Sequence, residues 1–190
     1  MKIAWIPLKY LKIADYNPRE ARSPEIIQAI IETYRKNGLV KPLLARKVSN
    51  TEYEVFDGGT RLEALQKINA EKAPCVVYEV SRKEAMKLAA IVHTNREDLT
   101  IAEKGKYVLR CINEGVWKNI SEAAKDLGFS RQTIHEWIKE ARIQELEATI
   151  SKTKVIDKEV KKKLASFPKP ARKKIVETIT SIDNKMMEKV

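Results

Sequence analysis

The chain is poor in cysteine, histidine and glycine, and it has no long apolar run. Its two cysteines, Cys75 and Cys111, lie far apart among 190 residues, each in an apolar segment. They read as reduced core thiols, because two Cys and two distant His make no disulfide framework and no metal-ligand cluster. No stretch approaches the roughly 20 consecutive apolar residues that a membrane helix needs. The opening "MKIAWIPLKYLKIADYNP" lacks the sustained apolar segment and small-residue cleavage site of a signal peptide. A cytoplasmic location is the expectation. The chain also has no internal repeat and no low-complexity tract.

What the chain has in excess is positive charge. Its 37 Lys and Arg outnumber 26 Asp and Glu, a net of +11. The excess is uneven: residues 1–99 carry +4 and residues 100–190 carry +7. A basic protein attracts polyanions, of which nucleic acid is the commonest. A Lys- and Glu-rich surface of the thermophile type would look similar, so charge alone does not choose between these readings.

Local patterns divide the chain into two styles. "KIAWIPL" reads as an edge strand ending at Pro7, and "DYNPREARSP" as a loop with a turn at Asn17-Pro18. Ser23-Pro24-Glu25 is a helix start, with Ser as N-cap, Pro at the first helical position and an acid in the first turn. Ile26, Ile27, Ile30, Ile31 and Tyr34 follow at helical spacing, and Gly38 supplies the stop. "PLLARKV" and "EYEVF" read as strands around a turn, "TRLEALQKI" as a helix, "PCVVYEV" as a strand and "SRKEAMKLAAIVHTN" as an amphipathic helix. From Thr100 onward the pattern is helical, with Glu103 spaced for a capping box. Since strand signals stop there, a boundary near residue 99 is expected.

"SEAAKDLGFSRQTIHEWI" is the most specific motif and predicts two short helices around Gly128. Ala123, Ala124 and Leu127 give the first a small inner face. Gly128 occupies the turn, where φ > 0 is needed. Phe129 fills the corner, Ser130 caps the second helix, and Ile134, Trp137 and Ile138 lock it inward. Arg131, Gln132, Thr133, His135 and Glu136 then face out near the N-terminus of the second helix. In a DNA-binding helix-turn-helix those positions meet the major groove. Arg suits guanine and Gln suits adenine through bidentate hydrogen bonds, while Thr133 and Lys139 suit phosphates. The expected DNA-binding set is Ser130, Arg131, Gln132, Thr133, His135 and Lys139; an ordinary helical hairpin with a solvated face is the blander reading.

A second motif, "EVFDGGTRLEAL", passes from strand through Asp-Gly-Gly-Thr-Arg directly into a helix. Backbone N–H groups at such a junction can hold an anion. The candidate phosphate or nucleotide set is Arg22, Gly58, Gly59, Thr60, Arg61 and Arg96. A tight strand-to-helix turn kept for packing is the competing reading.

The order of these segments resembles the ParB family of partition proteins over roughly residues 5–145. The motifs that carry the resemblance are Asn17-Pro18-Arg19-Glu20-Ala21-Arg22, Gly38 to Pro42, Gly58-Gly59-Thr60-Arg61-Leu62-Glu63-Ala64, and Val92-His93-Thr94-Asn95-Arg96-Glu97-Asp98-Leu99. The resemblance implies an α+β fold class: a small mixed-sheet ParB/sulfiredoxin-like domain at 1–99, then an all-α helix-turn-helix domain at 100–148 and basic helices at 149–190. It also implies sequence-specific binding of a centromere-like DNA site in plasmid or chromosome partition. Self-association on DNA, a ParA-type partition ATPase as partner and a location on nucleoid or plasmid DNA follow from the same resemblance.

The family's nucleotide is CTP with a divalent cation, and CTP or another nucleotide is the implied cofactor. The chain departs from the pattern there. Val92-His93 stand where the family has Glu-Asn, and of three arginines in the Gly-rich segment only Arg61 remains. No metal ligand and no catalytic residue is assigned, so CTP hydrolysis stays an implied activity with its metal positions unmatched. A transcriptional regulator with the same domains, or a nucleotide-dependent kinase-like enzyme of the same fold, are the rival readings.

Several other residues carry expectations. His93 is expected as a hydrogen-bonded core histidine and His135 as an exposed contact. Trp5 and Trp117 are expected as packing anchors. The runs Lys158–Leu164 and Lys169–Lys174 read as solvated helix faces or phosphate trackers. Ile175, Ile179, Ile182 and Met186 form an apolar stripe for self-association or packing.

Overall fold

The computed structural model describes residues 3–19, 23–38, 41–94, 99–150, 158–168, 170–172, 174–175 and 177–178, with side chains in those ranges except at 146–150, 158 and 161. Strand β1 (Ile3–Pro7) leads through a single 3-10 turn (Leu8–Tyr10) into β2 (Leu11–Ile13). Helix α1 (Pro24–Asn37), β3 (Leu43–Ser49), β4 (Glu52–Asp57), α2 (Gly59–Lys67), β5 (Lys72–Tyr78) and α3 (Arg82–Thr94) follow. Helices α4 (Ile101–Asn113), α5 (Ile120–Leu127), α6 (Arg131–Ile150) and α7 (Lys158–Leu164) come next, and the described residues among 170–178 are helical.

The expected local signals act where the residues place them. Ser23 caps α1 by accepting from the Ile26 N–H, and Gly38 closes it at φ 70°. Thr100 and Glu103 form a reciprocal capping box on α4, satisfying two otherwise unpaired backbone donors.

The five strands form one mixed sheet in the order β1-β5-β3-β4-β2. β1 pairs antiparallel with β5, and β3 antiparallel with β4. β3 pairs parallel with β5, with Leu43 opposite Cys75, and β2 runs parallel to β4, with Leu11 opposite Tyr53. β2 has no sequence signal of its own. Its three residues are too few for an alternating pattern, and only pairing with β4 makes them a strand.

Alternation along the strands sends side chains to two faces. On one face Leu43, Ala45, Val55, Ala73 and Cys75 pack with Leu62 and Leu65 of α2, and α1 lies over α2 through Ile27, Ile31 and Ala64. Burying each Leu or Ile there contributes roughly 1.5–3 kcal/mol. On the other face Phe56 meets the alanine-rich side of α3, where Ala85, Ala89 and Ala90 allow close approach. The same cluster continues through Tyr107, Val108, Cys111 and Trp117 to Ala123, Leu127, Ile134 and Trp137. Residues before and after residue 99 therefore share one core.

Cys75 and Cys111 are free and buried, and burial pushes both thiols up to about 12. Trp117 is a packing anchor, 1% exposed, with its indole N–H donating to Asp126 at 2.9 Å. Trp5 is not: it is 62% exposed. β1 stands at the edge of the sheet, and there the Trp5 ring stays largely in solvent. The second helix of the hairpin motif is also not short, since α6 runs for 20 residues. Ile179, Ile182 and Met186 of the apolar stripe lie outside the described residues.

Candidate functional site

The α5–α6 unit is built from both ends. Asn119 caps α5 by accepting from the Glu122 N–H at 3.0 Å. α5 ends at Gly128 in the left-handed region, φ 76° and ψ 22°. The Gly128 and Phe129 N–H groups both donate to the Ala124 carbonyl, so the turn closes on itself. The Phe129 ring then meets Trp137 edge-on, with centroids 4.7 Å apart. Ser130 accepts from the Thr133 N–H at 3.0 Å, and the two hydroxyls share a 2.8 Å hydrogen bond. Both hydroxyls thus serve the N-cap of α6.

The inner side of α6 is fixed by burial of Ile134, Trp137, Ile138 and Ala141. That leaves Arg131, Gln132, His135, Glu136 and Lys139 exposed, and Thr133 half-buried. Gln132 donates to Glu136 at 3.3 Å. Helix α7 lies beside α6, and a cleft of about 640 Å³ between them is lined by Gln132, His135, Lys139, Arg142, Lys162 and Lys163, among others. Among the described residues, four cationic side chains line it against the single carboxylate of Glu136. Three of the expected contact residues, Gln132, His135 and Lys139, therefore share a basic trough with α7. Arg142 follows one turn later on α6, and the α7 lysines join them through tertiary packing.

Ion pairs tie this helical part to the sheet domain. Asp15 receives both Arg82 guanidinium nitrogens, at 2.8 and 2.9 Å, and Arg110 at 3.0 Å. Arg110 also donates to the Asp15 carbonyl at 2.7 Å. The hydrogen-bonded Arg82 guanidinium holds the Asp15 carboxyl well below its ordinary value, at about 2. Lys87 of α3 reaches Asp126 of α5, and the Asp126 carboxyl is lowered by that lysine and by the Trp117 N–H. Sequence alone carries no sign of these pairs, because Asp15 and Arg110 are 95 positions apart.

The Gly58 loop sits at the end of β4. Gly58 adopts φ 92°, ψ 21° and starts α2 without a side-chain cap. Arg61 folds back over it, 3.3 Å from the Asp57 carboxylate, and donates to the Lys41 carbonyl at 3.2 Å. A Cβ at Gly58 would come within 2.7 Å of Arg61 Nη2 and of Leu43 Cδ2. His93 is buried, with Nε2 2.9 Å from the Phe56 carbonyl oxygen and 3.9 Å from Asp57 Oδ1. Asn17 donates to the same carbonyl at 3.4 Å. Asp57 thus lies between Arg61 and His93. The spacing of Asp57 and Arg61, four residues across a helix start, is the one trace of this in the sequence. Gly59 is buried and Thr60 half-buried at the first turn of α2, while Arg22 and Arg96 lie outside the described residues.

Residues 1–94 match the family model of the ParB N-terminal domain. The chain is 27% identical over 133 residues to the "Probable chromosome-partitioning protein ParB" of Vibrio cholerae, covering 70% of this chain and 45% of that one. It is 35% identical over 117 residues to the "Probable plasmid-partitioning protein ParB" of Thermus thermophilus, covering 62% and 38%. The chain spans less than half the length of these relatives. In fold it is similar to the C-terminally truncated chromosome-partitioning protein ParB of Caulobacter crescentus complexed to the centromeric parS site. The TM-score is 0.54, with 19% identity and 92% of each chain covered. With residues 1–94 matched to that model, the N-terminal part of the chain is a ParB N-terminal domain.

Proposed function

We propose that this protein binds a specific duplex DNA site through α5 and α6 acting as a helix-turn-helix, in plasmid or chromosome partition. The observation that supports it is the division of α6. Its apolar side is locked by Ile134, Trp137 and Ile138, while Arg131, Gln132, His135 and Lys139 stand exposed at its N-terminal end. A helix held this way can enter the major groove end-on. Arg131 and Gln132 carry the bidentate chemistry that discriminates bases, and Lys139 reaches phosphate. Ser130 and Thr133 act mainly through the cap that orients the helix. In this reading residues 1–99 form the family domain, 100–148 the DNA-binding unit and 149–190 a basic extension. The partners are double-stranded DNA, further copies of the chain on that DNA, and a ParA-type ATPase.

The resemblance also implies CTP with a divalent cation at the Gly58 loop. The described residues suit a small anion better than a metal-bound triphosphate. Arg61 is already opposed by Asp57, and a buried Asp carboxylate repels phosphate. A divalent cation seeks hard oxygen ligands, whereas Val92 and His93 occupy the corresponding positions and His93 is engaged with the Phe56 carbonyl.

Sequencing the DNA fragments that the purified protein selects from a genomic pool tests the main reading. Enrichment of one inverted-repeat site is expected. A pool left without enrichment would refute sequence-specific binding.

A further inference from the structure

The two edges of the sheet are built differently. β2, at one edge, is three residues long and carries Lys12, which pairs with Glu52 and lies 3.9 Å from Glu54. A short strand with an engaged charge is a protected edge. β1, at the other edge, reads Ile-Ala-Trp-Ile-Pro without a charge. Among the described residues it has a strand neighbour, β5, on one side only. Ile3 and Trp5 share one face of it and are 57% and 62% exposed. Trp5 stands opposite Pro74 in the ladder, so its ring borders the sheet without entering the core. An uncharged five-residue edge with an exposed tryptophan is a template for another strand.

We propose that β1 is a docking edge for an extended, acidic segment of a partner protein, which adds as a sixth strand. The outward backbone groups of Ile3–Pro7 supply the hydrogen bonds. Ile3 and Trp5 cover one apolar side chain of the incoming strand; an aromatic ring of this kind is the usual energetic centre of such a contact. Charge selects the occupant. Lys72 lies opposite Pro7 in the ladder, and the exposed Lys9 follows β1 in the turn after it, while Glu71 directly precedes Lys72 in the sequence. The chain as a whole is +11. A second copy would bring like charges together, whereas a segment alternating apolar residues with Asp or Glu meets both the ring and the lysines.

The test pans the full chain against displayed random linear peptides and measures the selected ones by fluorescence anisotropy. Selected peptides should alternate apolar and acidic residues. Trp5→Lys should weaken them by about thirtyfold, and Lys9→Glu with Lys72→Glu by about tenfold. Amide exchange at the outward N–H groups of Ile3–Ile6 should slow when peptide binds. Should Trp5→Lys lose the fold in thermal melts, Ile3→Lys on the same exposed face replaces it. Three outcomes overturn the proposal: no acidic, alternating peptide is enriched; binding is indifferent to these substitutions; or the wild-type chain forms a dimer that Trp5→Lys abolishes, making a second copy the occupant.

Discussion

Gly105 of α4 lies directly against the backbone of Trp137 in α6, so closely that a Cβ on Gly105 would overlap the Trp137 carbonyl group. The contact brings the two helices together and presses the ring of Trp137 against Phe129 at the corner of the α5–α6 turn. The exposed end of α6 is oriented by a glycine two helices earlier in the chain.

Gly105→Ala is therefore expected to cost at least 1–3 kcal/mol, roughly the range for overpacking a close-packed site, because a helical carbonyl cannot rotate away. Gly128→Ala is the comparison. Gly128 has a left-handed backbone but nothing within 4 Å of its Cβ position, so only the backbone penalty of about 1–2 kcal/mol applies. Urea titrations of both variants check the order. A milder effect at Gly105 than at Gly128 would contradict the packing account.

Base reading should reside in Arg131 and Gln132. Replacing either with Ala is expected to cost roughly 1–3 kcal/mol of specific affinity and to relax preference at one position of the site. Repeating the DNA selection with each variant measures this. An unaltered selected sequence in both would remove α6 from the role of recognition helix.

Lys162 and Lys163 share the cleft with Gln132 and His135. Converting both lysines to Gln should flatten the dependence of log affinity on log salt by about one to two units of slope while leaving sequence preference intact. Binding isotherms across a salt series give the slope. If it does not change, these lysines form a solvated face.

Among the described residues of the Gly58 loop, one opposed arginine and a helix N-terminus attract an exposed anion by about 0.3–1 kcal/mol, against the roughly 8 kcal/mol behind micromolar affinity. Calorimetry with CTP, ATP and ADP, each with and without Mg²⁺, is expected to show weak or no binding. DNA binding should survive Arg61→Ala. Gly58→Ala should damage the fold, since it combines φ 92° with contacts at 2.7 Å. Low-micromolar, Mg²⁺-dependent CTP binding lost in Arg61→Ala would make the loop a nucleotide switch instead.

The Asp15 cluster predicts an acid dependence. Its carboxyl is lowered to about 2 by Arg82, then Arg110. A group depressed in the folded state favours folding above its unfolded value, and that contribution fades as pH falls toward the folded one. Asp15→Asn should therefore lower the urea midpoint at pH 7 and lose most of that difference near pH 2. The side chain is 62% exposed, so solvent screening keeps the effect small. Equal differences at both pH values would mean that Asp15 acts by packing alone.

Caps, stops and turns were legible in the sequence because each depends on one or two neighbouring residues. Ser23, Gly38, the Thr100–Glu103 box, Gly128 and Ser130 all act locally. The inward side of α6 was legible from the spacing of Ile134, Trp137 and Ile138, and the burial of His93 from its place on an amphipathic helix. Strand β2, the sheet order, the Asp15 cluster and the α6–α7 cleft were not, since each joins segments far apart in the chain. Trp5 marks the division. Its apolar character predicts burial wherever a partner layer exists, but whether β1 has such a layer depends on its place at the edge of the sheet, and that is decided only when all five strands have paired.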